Sequence, residues 1–102
     1  MKTTIILKKA ESSAAERILK QLAPDAEVEF VTYGFSPDAD FYASDQIEAD
    51  EGINFKLNYK GSSVPIWLKA HGEKTIETAL PAICAAIISG MNIVEVSEAL
   101  KK

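Results

Sequence analysis

Residues 78–90, Thr-Ala-Leu-Pro-Ala-Ile-Cys-Ala-Ala-Ile-Ile-Ser-Gly, form the most apolar stretch of the chain. Leu80, Ile83, Cys84, Ile87 and Ile88 recur at helical spacing, with alanines between them. A helix that is apolar nearly all round has to be covered on more than one side. The run is shorter than the roughly 20 apolar residues that cross a bilayer. It therefore predicts a central core helix over 79–88, with strands packed on it. A buried strand followed by a loop is the alternative, and the alanine density and length of the run argue against it. The start of the helix has two readings. Thr75 as cap puts Pro81 inside the helix and predicts a kink, whereas Thr78 as cap puts Pro81 in the first turn, where proline costs little. Gly90 is the expected stop.

That helix needs partners, and the bulk composition supplies them. The chain has 102 residues, which predicts one domain over 1–102, and 47% of them are hydrophobic, enough for a core. A net charge of −4 gives no general attraction to nucleic acid or to an anionic membrane, so neither is an expected partner. The single cysteine cannot form an internal disulfide. A catalytic thiol at Cys84 would want a basic neighbour, and the only histidine, His71, lies outside the helix. Cys84 is read as a small core side chain. The apolar stretch near the N-terminus is too short for a signal peptide, and cytoplasmic location is the default expectation.

In chain order, residues 3–7 are β-branched and apolar and read as a strand buried on both faces. A helix follows, with Ser13 and Glu16 at capping-box spacing. Its apolar stripe is Ala14, Ala15, Ile18, Leu19 and Leu22, and Pro24 ends it. Residues 27–33 read as a second strand. Strand, helix and strand within about 30 residues make a right-handed βαβ unit with parallel strands. Residues 33–38 turn. Residues 41–49 are a strand, 50–52 a tight turn, and 53–60 alternate, with Ile53, Phe55, Leu57 and Tyr59 on one face. Residues 61–63 turn again, and 64–69 alternate with Val64, Ile66 and Leu68 inward. This is an antiparallel meander with one buried face. Pro65 lacks a ladder donor and belongs on an edge strand. After Gly90, Asn92 caps a short last helix whose apolar members are Ile93, Val94, Val96 and Leu100, with Lys101 and Lys102 at its negative end.

Candidate chemistry is sparse. Between Lys20 and Lys56 stand nine acids and no lysine or arginine. They read as a solvated rim over 25–51, or, more sharply, as a divalent-ion site from Asp38, Asp40 or Asp50 and Glu51, although their spacing matches no calcium loop. His71 and Gly72 precede the core helix, where loops can bind anions. Trp67 and Tyr59 are a weak candidate for an exposed aromatic pair. The chain contains no phosphate loop ending in Gly-Lys-Ser/Thr, no serine elbow and no zinc spacing. No catalytic residue and no metal ligand is assigned.

Two stretches resemble a family. Residues 31–45, Val-Thr-Tyr-Gly-Phe-Ser-Pro-Asp-Ala-Asp-Phe-Tyr-Ala-Ser-Asp, are similar to the strand-turn-strand passage in the central domain of Mur ligases. Residues 78–100 resemble that family's alanine-rich helix, glycine and short helix. These enzymes are ATP-dependent amide ligases of peptidoglycan-precursor synthesis, and the likeness is greatest to the one that adds D-alanyl-D-alanine. The resemblance implies the later half of the central domain. The family's phosphate loop, magnesium-binding glutamate and modified lysine lie upstream of that part, so ATP and magnesium are cofactors of the family and none is expected for this chain alone. Lys8, Lys9, Ala10 and Glu11 stand where the family has an Asn-Asp-Asp group. The family's nucleotide-binding Gly-x-His-Asn motif falls on Gly72, Lys74, Thr75 and, for its later asparagine, Thr78, a degenerate set in which only the glycine is kept.

The expected architecture is a mixed α/β fold: a βαβ unit followed by a three-stranded antiparallel meander, packed on the alanine-rich helix and a short C-terminal helix. The expected function is a Mur-ligase-like central-domain fragment or remnant that is not catalytically competent alone. A partner chain would supply the missing half, or a homodimer would form through an edge strand. The alternatives are a stand-alone interaction module, or a small ligand-binding domain using residues 72–78.

Overall fold

The computed structural model describes residues 3–101, and Lys102, expected at the end of the last helix, lies outside them. Five strands form one sheet in the order β1-β2-β3-β4-β5. They are β1 (Thr3–Lys8), β2 (Val28–Gly34), β3 (Phe41–Ala49), β4 (Gly52–Tyr59) and β5 (Ser62–Leu68). The helices are α1 (Ser12–Leu22), α2 (Glu73–Ile88) and α3 (Ile93–Leu100). β1 runs parallel to β2, with Ile5 opposite Phe30 and Ile6 opposite Val31. β2 meets β3 in parallel over only two pairs, Tyr33 with Phe41 and Gly34 with Tyr42. From β3 onward the sheet is antiparallel. The expected mixed α/β fold is therefore the observed one, and β5 with its Pro65 is an edge strand.

The core sits under α2 and α3, with α2 across β1, β2 and β3 and α3 on β5. Phe41, Leu57, Ile66, Ile76, Leu80 and Cys84 are completely buried. Phe41 and Tyr59, paired across β3 and β4, stack with ring centroids 3.9 Å apart. That contact uses Tyr59 on the inner face, so the Trp67–Tyr59 pairing does not form. Ser97 Oγ donates to the Pro65 carbonyl at 2.7 Å and fastens α3 to the edge strand. On the outer face Asn58 is buried among polar partners: its Nδ2 donates to Ser44 Oγ at 2.9 Å, and Ser63 Oγ donates to its Oδ1 at 2.6 Å.

Four local expectations need correction. β1 is not buried on both faces: Thr3 and Thr4 are exposed and the rest of the strand is half-buried, because β1 is the outermost strand. The Ser13–Glu16 capping box is absent. A 3₁₀ turn over Lys9–Glu11 leads in, Ser12 Oγ donates to the Lys9 carbonyl at 2.9 Å, and α1 starts at Ser12, two residues earlier than a Ser13 cap would allow. The stripe of α1 is only partly used, with Ile18 55% and Leu22 78% exposed. Neither Thr75 nor Thr78 caps α2. The helix begins at Glu73 with Gly72 as N-cap, so Pro81 lies in its interior. Proline has no N–H to give the carbonyl one turn back. At the other end Gly90 N–H donates to the Ile87 carbonyl and Met91 N–H to the Ala86 carbonyl, both at 3.1 Å, the Schellman pattern. Asn92 caps α3 as expected, in a full capping box with Glu95.

Candidate functional site

The residues singled out by the resemblance meet at the start of α2. Gly72, Lys74, Thr75 and Thr78 occupy its N-cap and first turns. Gly72 adopts φ 93°, a left-handed conformation that glycine takes at little cost. The amides there would ordinarily face an anion. Here the anion is a side chain. Glu48, near the end of β3, accepts from Gly72 N–H at 2.7 Å, and its other carboxylate oxygen lies 2.8 Å from His71 Nδ1. A carboxylate oxygen only accepts, so Nδ1 carries the proton in this contact. The His71 bond and then the Gly72 amide hold Glu48 below the ordinary carboxylate range, against a smaller opposing effect of burial. The two threonines face inward on their own helix: Thr75 Oγ1 donates to the His71 carbonyl at 2.7 Å and Thr78 Oγ1 to the Lys74 carbonyl at 3.0 Å. Lys74 is exposed and makes no ion pair among the described residues.

The resemblance places its nucleotide-binding set at this helix start. A fixed carboxylate holds the Gly72 amide. Both hydroxyls are spent on backbone carbonyls. Sequence reasoning placed His71 and Gly72 together at the helix start but missed Glu48, which is 24 residues away and carries no local signal.

The other candidates are structural. Asp40 accepts from Thr32 N–H at 2.9 Å and Thr32 Oγ1 at 3.2 Å, and its own N–H donates back to Thr32 Oγ1 at 3.0 Å. It locks the loop between β2 and β3. Among the described residues no group of three or more histidine, cysteine, aspartate or glutamate side chains is placed to hold a metal ion. Burial pushes the Cys84 thiol up to about 12, so it is neutral near pH 7 and is no nucleophile there. Lys8, at the end of β1, pairs with Glu77 of α2 at 3.0 Å, and that carboxylate raises the lysine pKa. Among the described residues no helix is long and apolar enough to cross a membrane.

Taken together, the half-parallel, half-meander sheet with an alanine-rich helix on its core face is a mixed α/β domain. The known proteins that the chain is similar to are Mur ligases. The chain is 30% identical over 77 residues to a UDP-N-acetylmuramoyl-L-alanyl-D-glutamate--2,6-diaminopimelate ligase of Clostridium acetobutylicum, covering 76% of this chain and 16% of that protein. It is 34% identical over 71 residues to a UDP-N-acetylmuramate--L-alanine ligase of Francisella tularensis, covering 70% of this chain and 16% of that one. Among solved structures, a UDP-N-acetylmuramoyl-L-alanyl-D-glutamate--2,6-diaminopimelate ligase superposes with a TM-score of 0.82 at 18% identity, over 96% of this chain and 20% of that one. MurF from Acinetobacter baumannii gives 0.77 at 16% identity, over 97% and 20%. No protein-family model matches. The resemblance to Mur ligases holds in sequence and in fold, and the chain spans only about a fifth of the length of the relatives it matches.

Proposed function

We propose that this chain is a Mur-ligase-like central-domain segment that works in the cytoplasm without ligase or ATPase activity of its own, and that a partner bound at the free edge of β1 completes its sheet. The observation that carries the reading is the Glu48 carboxylate on the Gly72 amide, at the helix start that the resemblance assigns to nucleotide. Catalysis of phosphoryl transfer depends on charges fixed around the transferring group, and the degenerate set Gly72, Lys74, Thr75 and Thr78 supplies only one free cation, Lys74. Calorimetric titration of the chain with ATP and magnesium tests this. No heat of binding up to millimolar nucleotide is expected, and micromolar affinity would overturn it.

A second reading is a stand-alone interaction module, favoured by the same open strand edge.

A further inference from the structure

We propose that the outer edge of β1 and the adjoining flank of α1 seat a second copy of this chain, the two β1 strands pairing antiparallel about a two-fold axis normal to the sheet. This names the partner at the edge on which the functional reading relies, and the nucleotide titration above stands or falls separately.

The edge is open and undefended. β1 pairs with β2 on one side, and no strand among the described residues lies on the other. Edge strands are ordinarily protected by proline, charge or bulges. Thr3–Lys8 has no proline and no acid, and its described cation, Lys8, is already held by Glu77. Two copies can therefore pair without opposing like charges.

The neighbouring helix offers a matching surface. On α1 the side turned to the protein carries Ser12, Ala15 and Leu19. Spacing of 100° per residue puts Ala14, Ile18 and Leu22 together on one adjoining flank, with exposed Glu11 at its N-cap end, and Arg17 and Lys20 on the opposite one. In a right-handed βαβ crossover the first of these flanks turns away from β2 and overhangs the free edge of β1. It carries the two most exposed large apolar side chains of the parallel half, Ile18 and Leu22. A two-fold axis normal to the sheet keeps α1 and its copy on the same face, antiparallel, with these flanks toward each other. The contact is then self-complementary, as an isologous interface must be. Keeping each face intact also limits the register to residues of like parity. Centring Ile6 on the axis, for example, sets Ile5 opposite the second copy's Leu7.

Nine residues a side, six from β1 and three from α1, fall short of the roughly 20–30 of a standard interface. The dimer is accordingly weak, with a midpoint of about 100 μM. Sedimentation equilibrium from about 5 to about 500 μM brackets that midpoint. Reversible dimerisation is expected, with Leu22→Glu and Ile18→Glu each raising the midpoint at least tenfold. Both sites are more than half exposed, so the fold tolerates them; circular dichroism checks this, and Ala14→Glu, also exposed, replaces either that fails. Val94→Glu on α3 and Ile47→Glu on β3, exposed by 56% and 63%, serve as controls and leave the midpoint unchanged. A strict monomer at the highest concentration overturns the proposal. So does a dimer that the control substitutions break and the α1 substitutions spare.

Discussion

The two halves of the sheet are built to different standards. Among the described residues every buried apolar side chain comes from residue 39 onward, from β3, β4, β5, α2, α3 and the turn before β3. The βαβ half contributes none: its one buried residue among those described is Ser12, and Ile6, Val31 and Tyr33 only lean against the core. The contrast has a geometric cause. α2 crosses β1 and β2 as well as β3, but the other cover of the parallel half is α1, which touches little beyond β1 and the turn before it, whereas α3 closes over the edge strand β5. The molecule is correspondingly long, 48 × 25 × 22 Å, with a radius of gyration of 14.7 Å where about 13 Å is usual for this length. A parallel unit normally depends on cover over both faces, and here that cover is partial.

The contrast can be broken by mutation. Leu80→Ala, in the fully buried α2 face, is expected to cost about 2–5 kcal/mol in urea denaturation, whereas Leu22→Ala on α1 should stay within about 0.5 kcal/mol. Equal costs would mean that α1 is packed after all. Next in size is Gly52→Ala. A Cβ there would stand 2.1 Å from the Leu68 carbonyl oxygen and 3.0 Å from the Trp67 ring, so the β4–β5 ladder has to shift, at about 1–3 kcal/mol. Asn92→Ala removes the cap that starts α3 and should cost about 1 kcal/mol, which would extend the well-built half to its last helix.

The smallest expected effect concerns pH. Glu48 has a depressed folded pKa, so its contribution is present above the unfolded carboxylate value and is lost as pH falls through the lower folded one. Acid titration followed by NMR at His71 and Gly72 should show the contact breaking only below the ordinary carboxylate range, near 4.3. In Glu48→Gln this acid step should vanish. An unchanged titration in the variant would remove Glu48 as the anion at the helix start. Lys8 acts at the other extreme: its raised pKa keeps the Glu77 contact in place through neutral pH, to be lost only when alkali strips the lysine.

Much of this architecture could be read from local pattern. The alternation of Ile53, Phe55, Leu57 and Tyr59, the proline in β5, Gly90 and the Asn92 cap each act within a few residues, and each appears where the chain predicts it. The strand-helix-strand order likewise dictated a parallel β1–β2 pair, since a short crossover closes well in only one hand. What local pattern could not supply was distance through space. Ser13 and Glu16 have capping-box spacing, yet the chain enters α1 through a 3₁₀ turn stitched by Ser12 to Lys9. Ile18 and Leu22 have core spacing, but amphipathic periodicity cannot say whether anything lies opposite. The occupant of the α2 start, Glu48, sits on another strand, and only the folded register of β3 brings its carboxylate to Gly72. Local sequence sets which backbone each segment adopts because hydrogen bonding and side-chain period act over a few residues. Packing decides which of those surfaces finds a partner, because burial is a property of pairs that the chain keeps far apart.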